Sequence, residues 1–191
     1  LVAAKQFEPA RAQFEQILQR APDDKDAVHA AGLLSMQIGD RASAERHFRH
    51  LLDLGFAEPD SIRSYLGQIA EEGKRYDEAI GWYKAVAPGS RFVAAQVRVA
   101  QVLLASGRMQ DARRHLQVLA HDGAADERPQ FILAEAQILR EAGRNEEAFD
   151  VLDDALRQTP DNIDLLYESA LMAERIGRLE VMEGRLRKLI V

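Results

Sequence analysis

The side chains able to do chemistry in this chain are histidines and paired carboxylates; cysteine is missing altogether. The five histidines are His29, His47, His50, His115 and His121. His47 and His50 stand three residues apart, a spacing at which one helix can offer two imidazoles to a metal. No third ligand completes a metal motif, so they are read as surface residues. Carboxylates come in adjacent pairs: Glu71-Glu72, Glu146-Glu147 and Asp153-Asp154. Acid–base catalysis needs two carboxyl groups converging in a water-poor pocket. Neighbours in sequence diverge by about 100° around a helix, which assigns these pairs to solvated helix faces. No nucleophile elbow, phosphate loop or dinucleotide fingerprint occurs. Without cysteine there is no disulfide, thiolate zinc site or cysteine nucleophile. The sequence calls for no catalytic residue, no metal and no cofactor.

The bulk properties describe what would position any site. The chain has 191 residues, is 47% hydrophobic and only 6% aromatic, and is rich in good helix formers. Its formal charge is −6, with both signs interspersed and no basic stripe. Nucleic acid and anionic membrane are therefore not expected as main partners. No run of about 18 apolar residues is present, so membrane insertion is not expected. Six prolines are expected between helices rather than inside them. The sequence opens at Leu1 and closes at Val191, both inside a repeat, and reads as a fragment of a longer protein.

Glycines set the rhythm. Gly39, Gly73, Gly107, Gly143 and Gly177 are separated by 34, 34, 36 and 34 residues. A fixed period in this range marks a solenoid of stacked helical hairpins. Each glycine is expected to reverse the chain as a left-handed C-cap of a first helix, A. The basic residue that follows (Arg41, Lys74, Arg108, Arg144, Arg178) would favour that helix C-terminus. The second helix, B, carries a small residue, a large one four on, and an apolar one three further: Ala44, Phe48, Leu51; Ala79, Tyr83, Val86; Ala112, Leu116, Leu119; Ala148, Leu152, Ala155. These positions form one face. Helix A has its own small position at Gly32, Gly67, Ala100, Ala136 and Ala170. Asp24, Pro59-Asp60, Ser90, Asp126 and Asp161 mark the helix A starts.

These residues resemble the tetratricopeptide repeat (TPR). The fullest match runs Tyr65-Leu66-Gly67-Gln68-Ile69-Ala70, then Gly73-Lys74-Arg75-Tyr76-Asp77-Glu78-Ala79-Ile80-Gly81-Trp82-Tyr83-Lys84-Ala85-Val86. Pro22 and Pro160 stand where the family closes a unit. Met109 and Asn145 depart from the usual aromatic, and Glu135 and Ser169 replace an apolar helix A residue. The resemblance implies an all-α, right-handed TPR-type solenoid of about five hairpins plus a leading helix. It would be a single domain over 1–191, with units near 1–22, 23–58, 59–89, 90–125, 126–160 and 161–191. The longer connections at Asp53–Asp60 and His121–Arg128 would bend the superhelix.

The same resemblance implies a binding surface. Family helix A lines a concave groove. Its fifth positions fall here on His29, Ser64, Val97, Leu133 and Tyr167; its ninth fall on Leu33, Gln68, Gln101, Gln137 and Leu171. Leu104 adds apolar surface. Gln68, Gln101 and Gln137 could form an amide ladder that pairs with an extended peptide backbone. The clamp for chaperone tails uses Lys, Asn and Arg at these positions, and His29, Leu33, Ser64 and Gln68 do not supply it. Trp82 would either pack against the next hairpin or stand out as an aromatic anchor. The implied function is a non-catalytic scaffold for a protein or peptide partner. Alternatives are a homodimer through uncapped terminal helices, with Leu186, Leu189, Ile190 and Val191 at one end, or a recruiting array of a larger enzyme or envelope complex. Similarity to Gram-negative envelope-associated TPR proteins points to a periplasmic, outer-membrane-associated setting, and otherwise to the cytoplasm.

Overall fold

The five A-to-B turns share one hydrogen-bond signature. In each, an amide bonds back across five residues: Asp40 N–H to Ser35 O, Arg75 to Ala70, Arg108 to Leu103, Arg144 to Leu139 and Arg178 to Ala173, at 2.8–2.9 Å. This bond requires a left-handed residue just before the donor. Gly39, Gly107, Gly143 and Gly177 supply it, with φ of 82°, 79°, 75° and 75°. In the second turn the left-handed residue is Lys74, at φ 57°, whereas Gly73 has φ −80°. The reversal expected at Gly73 is thus displaced by one residue. Counted from Lys74 the register is uniform: Ala79 falls five residues after the reversal and Gly67 seven before, as in the other hairpins.

The computed structural model describes residues 2–190, with side chains from Phe7 onward. The described regular elements are all helices. They run α1 Val2–Arg20, α2 Lys25–Ile38, α3 Arg41–Asp53, α4 Pro59–Glu72, α5 Tyr76–Lys84, α6 Phe92–Ala105, α7 Met109–Asp122, α8 Arg128–Glu141, α9 Asn145–Gln158, α10 Ile163–Arg175 and α11 Leu179–Ile190. That is a leading helix and five A–B hairpins. The chain divides into two compact units, 1–95 and 96–191, the division falling in the first turn of α6. In the first unit α1 packs on α2, α2 on α3, α3 on α4 and α4 on α5; in the second, α7 packs on α8, α8 on α9, α9 on α10 and α10 on α11, and α8 also touches α10.

Several boundary expectations shift. Pro9 lies inside α1 rather than between helices. It removes one backbone donor early in the helix, and the rest of α1 is held by its packing on α2, with Leu18 against the first unit's core. Asp24 caps α2 as expected, accepting from Ala27 N at 3.0 Å. The cap of α10 is Asn162 rather than Asp161, accepting from Leu165 N at 3.0 Å. Helix α8 starts at Arg128 behind Glu127 rather than at Asp126, and α6 starts at Phe92, beyond Ser90. Pro59 occupies the first turn of α4, where its missing N–H costs nothing.

The cores follow the A–B register. In the first unit Val28, Ala44, Phe48, Leu51, Ile62, Leu66 and Ile69 form one buried cluster. In the second, Ala136, Leu139, Ala148, Phe149, Leu152, Leu165, Leu166 and Met172 belong to another. The small helix A residues face the large helix B residues sixteen positions on. A Cβ built on Gly32 would meet the Phe48 ring at 2.7 Å, and one on Gly67 the Tyr83 ring at 2.6 Å. Where the large partner is aromatic the small one is glycine. Where it is leucine, at Ala100/Leu116 and Ala136/Leu152, alanine stands.

Candidate partner-binding faces

The outward side of each helix A is what remains after its buried residues are assigned. In the first unit α2 buries Ala27, Val28, Ala31, Gly32 and Ser35, which leaves His29 and Leu33 half-buried on the other side. The His29 ring packs on Phe56, with centroids 5.0 Å apart. Its Nε2 is buried and has no hydrogen-bond partner among the described residues. Leu33 packs partly onto the first core. On α4, Ser64 turns its hydroxyl inward along its own helix and donates to Asp60 O at 2.8 Å. Gln68 is exposed, and its amide donates to Glu72 at 3.0 Å.

In the second unit Val97, Gln101 and Leu104 are half-buried on α6. Gln101 accepts from Arg98 at 2.9 Å. On α8, Leu133 packs partly onto the second core, and Gln137 donates to Glu141 at 2.8 Å. On α10, Leu171 also packs partly onto that core, while Tyr167 is 51% exposed. The structure therefore brings Leu133, Gln137, Tyr167 and Leu171 onto two touching helices, α8 and α10. His29, Leu33, Ser64 and Gln68 belong to the first unit. Gln68 and Gln137 each spend an amide donor on a carboxylate one turn ahead, a common local pairing on helices.

The candidates for chemistry have structural partners. His47 lies 3.2 Å from Glu15, and His50 lies 3.0 Å from Asp23, so both tie α3 back to α1 and the turn after it. The adjacent carboxylates point apart. Glu71 accepts from Tyr83 OH at 3.1 Å, and Glu72 pairs with Arg41 at 2.6 Å. Glu146 pairs with Arg178 at 2.9 Å, and Glu147 with Arg113 at 3.2 Å. Asp153 meets both Arg157 and Arg185, while Asp154 meets Arg157 at 3.0 Å.

Of the basic residues at the turns, Arg41 and Arg178 bridge to a neighbouring helix at Glu72 and Glu146, whereas Arg144 pairs with Glu147 of its own helix and Arg108 donates to Ser106 in its own turn. Arg75 grips Glu45 of α3 at 2.6 Å and Glu78 of its own helix at 2.9 Å. Arg49 joins the same two glutamates and lies 5.2 Å above the Trp82 ring. The hydrogen bond from Arg75, aided by Arg49, holds Glu45 below the usual carboxylate range. Hydrogen bonds from Arg41 and then Gln68 do the same for Glu72. Backbone and side-chain hydrogen bonds from Ser43, then Arg11, lower Asp40. Trp82 is half-buried and packs against the first unit's core.

Two features escaped the sequence reading. Glu135, 5% exposed, receives Arg113 at 3.0 Å and Gln117 at 2.6 Å. Arg113 also reaches Glu147, which knots α7, α8 and α9 together. The signal was there in a carboxylate at an apolar register position, but its partners lie 18 and 22 residues away. The second feature is Ile163, 70% exposed and one turn ahead of Tyr167. It was hidden because Asp161 was read as the helix start.

Comparison with known proteins agrees with this architecture. The tetratricopeptide repeat family matches residues 29–94 and again 129–172. The TPR repeat-containing protein PA4667 of Pseudomonas aeruginosa, a Gram-negative bacterium, is 36% identical over 135 residues, 69% of this chain. The chain spans about a fifth of that relative's length, since the match covers 22% of it. Among solved structures, the C-terminal part of a TPR repeat-containing protein from Cytophaga hutchinsonii superposes with a TM-score of 0.64 at 13% identity, covering 97% of this chain and 73% of that one. PilF of Pseudomonas aeruginosa gives 0.55 at 17% identity, covering 87% and 75%. YrrB, a TPR protein with an unusual peptide-binding site, gives 0.52 at 16% identity, covering 93% and 90%. These likenesses establish the fold. The family supplies protein–protein interaction scaffolds, and among the described residues no helix is long and apolar enough to cross a membrane. With its recurring left-handed turns, its A–B packing register and these matches, the chain belongs to the tetratricopeptide repeat family.

Proposed function

We propose that this chain is a non-catalytic scaffold whose helix A outer faces hold a protein or peptide partner. The observation that carries the reading is the outer face of α10. There Ile163 and Tyr167 are 70% and 51% exposed, although the register of the family predicts a contact surface at that side. Leu133, Gln137 and Leu171 extend the face, and Val97, Gln101 and Leu104 occupy the corresponding side of α6. In the first unit His29, Leu33, Ser64 and Gln68 take the same register positions. Apolar contacts of this kind supply most of the affinity in such interfaces, with amides and charges framing them. The peptide-binding site of YrrB, a protein of similar fold, is a precedent for this use.

A second reading is self-association through α11. Leu179, Leu186 and Ile190 are 57%, 37% and 85% exposed there. The position of Leu186 is otherwise fully covered in the helix B register, as at Phe48, Leu116 and Leu152.

One experiment separates these readings. A photo-reactive amino acid is placed singly in the full-length protein, in its own cells, at Gln68, Leu133 or Tyr167, at the exposed helix B residues Arg46 and Asp154, and at Leu186. Partner adducts are expected from the helix A positions and not from Arg46 or Asp154. Adducts confined to Arg46 and Asp154 would refute the helix A reading. Self-adducts from Leu186 alone would favour the dimer.

A further inference from the structure

We infer that the α8–α10 face takes a partner segment that is both apolar and basic; this rests on the scaffold reading above. Helix α10 buries Leu165, Leu166, Ser169, Ala170, Met172 and Ala173. The opposite side consists of Ile163, Tyr167 and Leu171, spaced four residues apart, as one stripe about 12 Å long. That length matches two turns of a docked helix or about four residues of an extended strand. Ile163 and Tyr167, 70% and 51% exposed one turn apart, make a contiguous apolar patch rimmed by charge, the form an interaction site takes.

The charge around the stripe selects the partner. Asp164 is one turn from Tyr167 on the same side, and Glu174 lies just past Leu171. Neither carboxylate has an ion pair among the described residues. Glu168, between them, is met by Arg140 of α8 at 3.7 Å, and Arg175, beside Glu174 in the last turn of α10, is the second cation on this face, so carboxylates outnumber cations by three to two. Asp164 also suits the α10 N-terminus, which does not explain Glu174 at the far end. A Lys or Arg beside an apolar anchor would pair with Asp164 while lying over the Tyr167 ring. The first unit has no such combination: the positions matching Ile163 and Tyr167 are Lys25 with His29, and Asp60 with Ser64.

The test is calorimetric titration of the protein with three synthetic amphipathic peptides. They share one Leu/Phe face and carry Lys, Gln or Glu on the other. The Lys peptide is expected to bind roughly tenfold more tightly than the Glu peptide at low salt, with the Gln peptide between. Tyr167→Ser should abolish binding of the Lys and Gln peptides. Glu174→Gln and Asp164→Asn should each weaken only the Lys peptide, by several-fold. Far-UV circular dichroism checks that each variant is folded, as expected at exposed sites. Equal binding of all three peptides, lost in Tyr167→Ser, would overturn the charge preference and leave the scaffold reading standing. Lys-peptide binding that survives Tyr167→Ser would overturn the placement on α10. No binding by any peptide would overturn the inference too, while the cross-linking result would still judge the scaffold reading by itself.

Discussion

At the scale of single residues, the instructive case is Lys74. Four of the five reversals use glycine, and the second uses a lysine with a left-handed backbone. An L-residue there costs roughly 1 kcal/mol because its Cβ crowds the following carbonyl. Lys74→Gly is expected to raise stability by about that much, read as a higher urea midpoint with an unchanged m-value. A lower midpoint would mean that the Lys74 side chain does something the geometry does not show. The same position explains how far the sequence could be read. The period was legible because four glycines announce it. Gly73 misled by one place because a glycine next to the reversal carries the same signal as a glycine in it. Ile163 stayed hidden for a similar reason: Asp161 and Asn162 are both good caps, and only the hydrogen bond to Leu165 N tells them apart.

At the scale of elements, the A–B contact is a matched pair of sizes. Alanine at Gly32 would place a methyl 2.7 Å from a carbon of the Phe48 ring, which is fully buried and also stacked on Tyr65 at 5.0 Å. Overpacking of this kind costs about 1–3 kcal/mol, more than the helix propensity gained. Gly32→Ala is therefore expected to destabilise by about 1–2 kcal/mol. Phe48→Leu alone should also destabilise, through the space it leaves. Combined, they recreate the Ala–Leu pairing of the later hairpins, and urea melts should show a favourable coupling of about 1 kcal/mol. Strict additivity would refute the matched-pair account. Small-and-large periodicity made this contact visible in the sequence as a pattern, but not which residue faces which. The Glu135 knot was less legible still. Only packing brings Arg113 and Gln117 of α7 to that carboxylate, and Arg113 on to Glu147 of α9.

At the scale of the whole molecule, ion pairs tie helices together in both units, and those of the first unit bear on its response to acid. Asp40, Glu45 and Glu72 of the first unit are held clearly below the usual carboxylate range. A carboxylate with a depressed folded value stabilises fully above its unfolded value, about 3.9 for Asp and 4.3 for Glu. That contribution is lost as pH falls through the lower folded value. Acid is therefore expected to weaken the first unit from about pH 4 downward. Glu45→Gln should lower the urea midpoint at pH 6 and shrink the further loss on moving to pH 3. An unchanged acid response in that variant would show that the Arg49–Arg75 cluster contributes nothing. His47, His50 and several of the adjacent carboxylates, read from the sequence as solvated surface residues, tie neighbouring helices together in the fold, whereas Gln68, Gln101 and Gln137 bond within their own helices. The exposed face of α10, by contrast, could be foreseen only as a register position. Trp82 draws a practical consequence from this division. It is the chain's single tryptophan, and it lies under the Arg49 guanidinium in the first unit, whereas the α10 face carries only a tyrosine. The indole is thus an optical reporter of the charged joint between α3 and α5, whose brightness and colour follow that joint as it loosens. It is placed to register acid and denaturant in the first unit, while α10 carries Tyr167 and no tryptophan of its own.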